Sequence, residues 1–370
     1  MAIKNITDRI SDFEFHLITA RLDKKSSKQE KIGNIFVFRV GGPFSFFWFF
    51  LPKIFLSLAV FSKARSLLKE NDYKLVHAFQ ASGAAGAGWL LKFSYPRLPF
   101  MITMQEGKNL ERQCFLINFF RRLIIKKADR ATAISRYLSD YILKVRKDLS
   151  VEIIPNGVDL ENFSRQFSYG ELIGLENKLG IKPDEKVIVS VSRLVRKNGL
   201  DLLLRALAIL KNSDPDRRSK LLLIGQGREE RNLRRLAGGL DVREGIIFGG
   251  EIGNENLPRY FGMSDVFVRP SRSEGLGTAF LEAMAAGVPV IGTQVGGVPD
   301  FLEDRKTGLF CTDSPEDIAS KINLILEDET LRREIIKNAR LLVEEKYDWN
   351  KIAEKYKQIY RRVMLIQSSE

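Results

Sequence analysis

Histidine and cysteine are nearly absent: two of each occur in 370 residues. His16 and His77 are too few for a histidine-built metal site or a nucleophile–histidine triad. Cys114 and Cys311 cannot form a disulfide framework or a zinc site, and a reducing compartment is the default reading. Carboxylates do not cluster at metal-ligand spacing, so neither a metal nor a cofactor is expected. The most apolar segment, GGPFSFFWFFLPKIFLSLAVF, contains Pro43 and Pro52 and is split by Lys53. Neither side reaches the roughly 20 residues of a membrane span, and no signal peptide precedes it. Acids are scarce in one half only. Residues 1–155 hold 26 Lys+Arg against 13 Asp+Glu, whereas residues 156–370 hold 33 of each, so the whole net charge of +13 lies in the first half. A basic lobe implies an anionic partner. No compact nucleic-acid motif is visible, so no nucleic acid is expected, and an anionic membrane surface is preferred over a merely solvated basic face.

What is present is an alternation of short apolar runs and helical stretches along two domains' worth of chain, which predicts parallel α/β sheets. The most informative stretch is 264–300, SDVFVRPSRSEGLGTAFLEAMAAGVPVIGTQVGGVPD. Asp265–Val268 reads as a buried strand. Pro270 to Gly277 breaks it, Thr278 to Ala286 are strong helix formers, and Gly287 stops them. A turn carrying an acid thus joins a strand's C-terminal end to a helix start. The N–H groups of Gly275, Leu276, Gly277 and Thr278 can meet an anion there. Glu282 is either a solvated helix face or part of a site. Upstream, Arg193 and Lys197 follow the strand Lys186–Val191, and cations at a strand's end suit a diphosphate. Gly225 and Gly227 form a further glycine turn after Leu221–Ile224.

In the first half, strands are expected near Phe13–Thr19, Ile35–Val40, Tyr73–Phe79, Phe100–Met104, Ala131–Ser135 and Val151–Ile154, with Lys24 to Lys31 a polar loop. Phe46, Phe47, Trp48, Phe49 and Phe50 sit on a loop, and either face a membrane or pack the lobe's own core. A helix over Leu116–Arg130 carries Phe119 and Phe120 beside Arg121, Arg122, Lys126 and Lys127, a second candidate membrane face. Pro155-Asn156-Gly157 is a turn between the halves.

Glu274 and Glu282 form an E-x7-E pattern, and EGLGTAFLEAMAAGVPVIGTQVGGVPDFL around it resembles the signature of retaining nucleotide-sugar glycosyltransferases of family GT4 (glycosyl transferases group 1). The resemblance implies the GT-B fold: two Rossmann-like parallel-sheet lobes facing a cleft. It assigns residues 1–155, with a C-terminal crossing helix at 348–366, to an acceptor-side lobe and 156–347 to a donor lobe. It also implies that the first lobe lacks its first strand and glycine loop, because the chain opens inside a helix. By the same resemblance Glu274 holds the donor sugar, Glu282 the ribose, and Arg193 the diphosphate. The family's lysine falls at Asn198, so Lys197 is expected to serve. Gly249 and Ile252 match the loop that receives the base. On the acceptor side His77, Gln105 (where relatives carry His), Ser135 and Asn156 match sugar-side positions, His77 being otherwise a structural residue.

The implied reaction is transfer from a nucleotide-diphosphate sugar to a hydroxyl acceptor, lipid-linked or in a cell-envelope glycan, by a cytoplasmic protein peripheral on the inner membrane face. The alternatives are a truncated chain that binds nucleotide sugar or membrane without turnover, and a nucleotide-sugar 2-epimerase. A phosphorylase with a pyridoxal-phosphate lysine is a third rival, and no such lysine is signalled.

Overall fold

The computed structural model describes residues 2–367 apart from 24, 42–51, 82, 108–109, 111–112 and 215–217. The aromatic loop at 46–50 therefore lies outside the described residues. The chain divides into two compact units, residues 1–156 with 349–370, and residues 157–348.

Unit 1 opens with α1 (Ala2–Thr7) and continues with β1 (Phe15–Ala20), β2 (Gln29–Ile32) and β3 (Ile35–Val40). These strands form a sheet in the order β1-β3-β2. The expected loop at Lys24–Lys31 is corrected here: Gln29 to Ile32 pair antiparallel with β3. A polar, exposed edge strand has no apolar alternation to reveal it, and the Ile32–Ile35 hairpin supplies the pairing. Next come α2 (Pro52–Glu70), β4 (Val76–Phe79), α3 (Ala85–Ser94), β5 (Phe100–Met104), α4 (Phe115–Lys127), β6 (Arg130–Ala133), α5 (Arg136–Val145) and β7 (Val151–Ile153). Strands β4 to β7 form an all-parallel sheet in sequence order. All five residues of β5 are buried, as expected for a strand covered on both faces. The C-terminal helix Trp349–Gln367 packs its Trp349, Ile352, Tyr356 and Tyr360 with Ile6, Ile10, Met101 and Ile154 of the same unit.

The parallel strands of unit 1 are interrupted. Among the described residues β1 pairs with β3 only and β4 with β5 only. Two cavities of about 270 and 380 Å³ are lined by both β1 and β4. Among the described residues the first sheet is thus separate from the second.

Unit 2 carries α6 (Leu160–Phe163), α7 (Tyr169–Leu179), β8 (Lys186–Val191), α8 (Leu200–Ser213), β9 (Ser219–Ile224), α9 (Glu230–Gly239), β10 (Ile246–Gly250) and α10 (Leu257–Gly262). It continues with β11 (Val266–Arg269), α11 (Thr278–Ala286), β12 (Val290–Thr293), β13 (Leu309–Cys311), α12 (Pro315–Glu327) and α13 (Glu329–Lys346). Its six strands are all parallel, in the order β10-β9-β8-β11-β12-β13. The apolar stripe Leu200, Leu203, Leu204, Leu207 and Leu210 of α8 packs with Leu221 and Leu223 of β9 and Ile318 and Ile322 of α12. The strand order reverses between β8 and β11. In open α/β sheets that switch point leaves a crevice at the strands' carboxyl ends.

Candidate functional site

Both flanks of the switch point carry charge. After β8, residues 196–198 form one 3-10 turn. That turn sends Lys197 and Asn198 to different partners. Asn198 is buried and donates from Nδ2 to the Arg193 carbonyl at 2.7 Å. Lys197 instead reaches the other flank: Nζ donates to the Ser273 carbonyl at 3.2 Å and lies 3.7 Å from Glu274 Oε1. Burial, with the guanidinium groups of Arg269 and Arg193, lowers the Lys197 ammonium from its ordinary value, while Glu274 opposes them. An added anion would relieve that strain. The Arg193 side chain is exposed.

After β11 the turn 270–277 is held from below. Arg269, the last residue of β11, is buried and donates from Nη2 to Glu274 Oε2 at 3.0 Å. The Glu274 Oε1 atom accepts from Gly275 N–H at 3.2 Å. The expectation of four free N–H groups is corrected on that point: Gly275 is engaged by the acid before it. Leu276, Gly277 and Thr278 have no backbone acceptor among the hydrogen bonds of the described residues. Two glycines shape the turn. Gly277 has φ +97°, and a Cβ there would come within 3.1 Å of Arg269 Nη2. Gly296 has φ +56°, and a Cβ there would lie 1.8 Å from the Glu274 carbonyl oxygen. Any larger residue at 296 displaces the acid-bearing turn.

Glu282 lies on α11, buried, so the solvated-face reading does not hold. Burial pushes its carboxyl up to about 7, while Arg269 and a hydrogen bond to Asn254 act in the opposite direction. Asn254 follows Ile252 on the loop after β10, the strand that carries Gly249, so that loop and Glu282 are neighbours. Gly225 ties in through its N–H, which donates to the Gly250 carbonyl at 2.6 Å.

An acid raised in the folded state keeps its proton where the unfolded chain has lost it. Glu282 therefore costs no stability below about pH 4.5, costs more as pH rises, and levels off above about pH 7 at roughly 3 kcal/mol. Denaturant titrations are expected to show wild-type stability falling by about that amount between pH 4.5 and 7 at this one group, and Glu282→Gln flattening that slope. An unchanged slope in the variant contradicts the assignment.

The acceptor-side candidates belong to unit 1 and are tied up internally. His77 uses both ring nitrogens, Nδ1 with Tyr360 Oη at 2.9 Å and Nε2 with Thr103 Oγ1 at 2.6 Å. Burial lowers it to about 3, so the ring is neutral. Both ring nitrogens thus have partners within unit 1, as the structural reading of His77 requires, although the residue also lines the two cavities of that unit. Ser135 is a buried N-cap of α5, accepting from Leu138 N–H. Gln105 Nε2 donates to Asn156 Oδ1 at 3.4 Å, so these two are neighbours at the end of β5. The adjoining Glu106 went unnoticed in the sequence. It is buried 3.8 Å from Arg121, and burial raises its carboxyl against the pull of that guanidinium. Arg121 therefore leaves the basic face of α4, where it was expected.

A cavity of about 480 Å³ in unit 2 lies away from these groups, at the N-terminal ends of β8 and β9. Its Lys211 and Lys220 pair with Asp241 and Glu185, so it offers no comparable chemistry.

Two family models match. The model for glycosyl transferases group 1 matches residues 175–342, and that for glycosyltransferase family 4 matches residues 9–162. A GDP-mannose-dependent alpha-(1-6)-phosphatidylinositol monomannoside mannosyltransferase of Mycolicibacterium smegmatis is 37% identical over 195 residues, 50% of each chain. The match spans about half the length of two of the curated relatives, and 79% of a third, the N-acetyl-alpha-D-glucosaminyl L-malate synthase of Bacillus anthracis, at 28% identity. Among solved structures, sucrose-phosphate synthase from Thermosynechococcus elongatus superposes with a TM-score of 0.86 at 22% identity, over 98% of this chain and 93% of that one. The Anabaena protein HepE, solved with UDP and glucose, gives 0.74 at 20% identity, over 89% and 86%. These two likenesses concern the fold.

Proposed function

The chain belongs to the group 1 glycosyl transferases of family 4, with the GT-B fold, and on that premise we propose that it moves a sugar from a nucleoside-diphosphate sugar to a hydroxyl acceptor. One observation carries this reading. Three cations (Arg193, Lys197 and Arg269) face two acids (Glu274 and Glu282) at the switch point of unit 2, an arrangement with positive charge to spare for a diphosphate. In this reading Arg193, Lys197 and the N–H groups of Leu276, Gly277 and Thr278 hold the departing diphosphate. Glu274 takes the sugar hydroxyls, Glu282 the ribose, and the loop from Gly249 to Asn254 the base. No metal or cofactor is invoked. The bond from the sugar's anomeric carbon to the β-phosphate oxygen breaks, the acceptor oxygen bonds to that carbon on the same face, and the acceptor proton passes to the departing phosphate. Configuration is retained, and no separate base is needed.

We further propose a lipid-linked or cell-envelope acceptor, met at the inner face of an anionic membrane. No helix among the described residues is long and apolar enough to cross a membrane. Unit 1 instead exposes large apolar side chains on three neighbouring helices: Phe55 and Leu58 on α2, Phe93 on α3, and Phe115, Leu116, Phe119 and Phe120 on α4. Phe115 is 79% exposed. Arg122, Lys126 and Lys127 are exposed on the same α4, and Lys127 Nζ sits 4.7 Å from the Phe93 ring centre. Rings beside cations suit an anionic interface.

The test is release of nucleoside diphosphate from a panel of nucleotide sugars, with and without vesicles containing phosphatidylglycerol. Turnover is expected, with sedimentation on the vesicles that weakens as salt rises. Binding of nucleotide sugar without turnover assigns the chain to the non-enzymatic alternative. No sedimentation at low salt rejects the membrane half.

A further inference from the structure

We propose that Arg269 is the positioning residue of the donor site, clamping Glu274 from beneath so that its carboxylate stays aligned when Lys197 turns to a bound diphosphate. The kinetic part of this proposal rests on the transfer reading above; the binding part stands without it.

Arg269 ends a strand whose other residues, Val266, Phe267 and Val268, are apolar and fully buried. A leucine would complete that strand with no charge to bury. Arg269 is 5% exposed, and its guanidinium sits over the Phe280 ring at 4.6 Å, with the Phe267 ring centre 5.9 Å away. A cation this enclosed is costly unless paired, and its Nε finds no hydrogen-bond partner. The charge is therefore retained for what it holds.

It holds three things. Nη1 donates to the Val191 carbonyl at 3.2 Å, tying β11 to the end of β8 across the switch point. Nη2 donates to Glu274 Oε2 at 3.0 Å. Its charge also acts on Glu282, favouring the ionised acid against burial. The Glu274 carboxylate is thus shared, Oε2 with Arg269 and Oε1 with Lys197 and the Gly275 N–H. A diphosphate competes for Lys197, which is flexible and held to Glu274 only at 3.7 Å. Once Lys197 leaves, the planar fork of Arg269 is the cation that keeps Glu274 in place. A lysine at 269 supplies charge but cannot reach Val191 and Glu274 in one plane.

The experiment compares Arg269→Met and Arg269→Lys in the full chain. Affinity for UDP, GDP and ADP is measured by calorimetry from about pH 5.5 to 8.5, alongside turnover. Arg269→Met is expected to move the pH midpoint of nucleoside-diphosphate binding upward, through Glu282, and Arg269→Lys to bring it back. Both variants are expected to lose about 10²-fold in kcat with donor KM changed little, because misalignment persists in each. A folded Arg269→Met protein with wild-type kcat, or one whose pH midpoint stays put, overturns the proposal. If Arg269→Met does not fold, Arg269→Lys decides, since full kcat there rejects the clamp. If the wild-type chain binds nucleoside diphosphate without turnover, the transfer reading fails and the pH midpoint alone decides for Arg269.

Discussion

Replacing Glu274 with alanine is expected to cut sugar transfer by about 10²–10³-fold while nucleoside-diphosphate affinity changes little, because the carboxylate serves the sugar and not the phosphates. The structure adds a consequence for stability. Glu274 neutralises the buried Arg269, and removing one partner of a buried pair costs about 3–5 kcal/mol. Glu274→Ala should therefore melt at a lower temperature as well. Glu274→Gln separates the two effects. Its amide oxygen still accepts from Arg269, so most of the stability returns, while the anion that orders the sugar is gone. Activity in both variants, measured on protein shown to be folded by circular dichroism, checks this. Wild-type-like turnover by Glu274→Gln with any donor sinks the assignment.

The second large effect concerns the phosphates. Arg193→Ala and Lys197→Ala should each lose about 3 kcal/mol of transition-state stabilisation, close to 10²-fold in kcat/KM. Arg193 is exposed, so its removal should leave stability within about 0.5 kcal/mol. Lys197 is held in an environment that lowers its pKa, so its loss should also be well tolerated by the fold. Asn198→Lys is not expected to rescue Lys197→Ala, since that position faces inward and caps the Arg193 carbonyl. Rescue by that double variant would return the phosphate role to position 198.

Much of unit 2 was legible because its elements obey strong local rules. The run Lys186–Val191 is apolar throughout its middle, as a central parallel strand must be, and the strand forms over those residues. Thr278 to Ala286 are helix formers bounded by glycine, and the helix has those limits. What stayed hidden was tertiary. Arg269 looks like the polar end of a strand until the rings of Phe267 and Phe280 are seen to enclose it. Arg121 looks like one more cation on a basic helix until Glu106 is found beside it. His77 matches a sugar-side position of the family, and only the fold shows tyrosine and threonine hydroxyls at both of its nitrogens. The strand at Gln29–Ile32 is polar and exposed, so only its pairing with β3 defines it.

The central claim is that the switch point of unit 2 binds a nucleoside diphosphate through Arg193 and Lys197. Calorimetric titration of UDP, GDP and ADP into the wild-type chain tests it most directly, with the matching nucleosides as controls. The account predicts measurable binding of at least one diphosphate, weaker binding of its nucleoside, and an affinity lowered about 10²-fold or more in the Arg193→Ala/Lys197→Ala double variant. Equal affinity of the wild-type and double-variant proteins for every diphosphate, or no binding by the wild type at all, would contradict it.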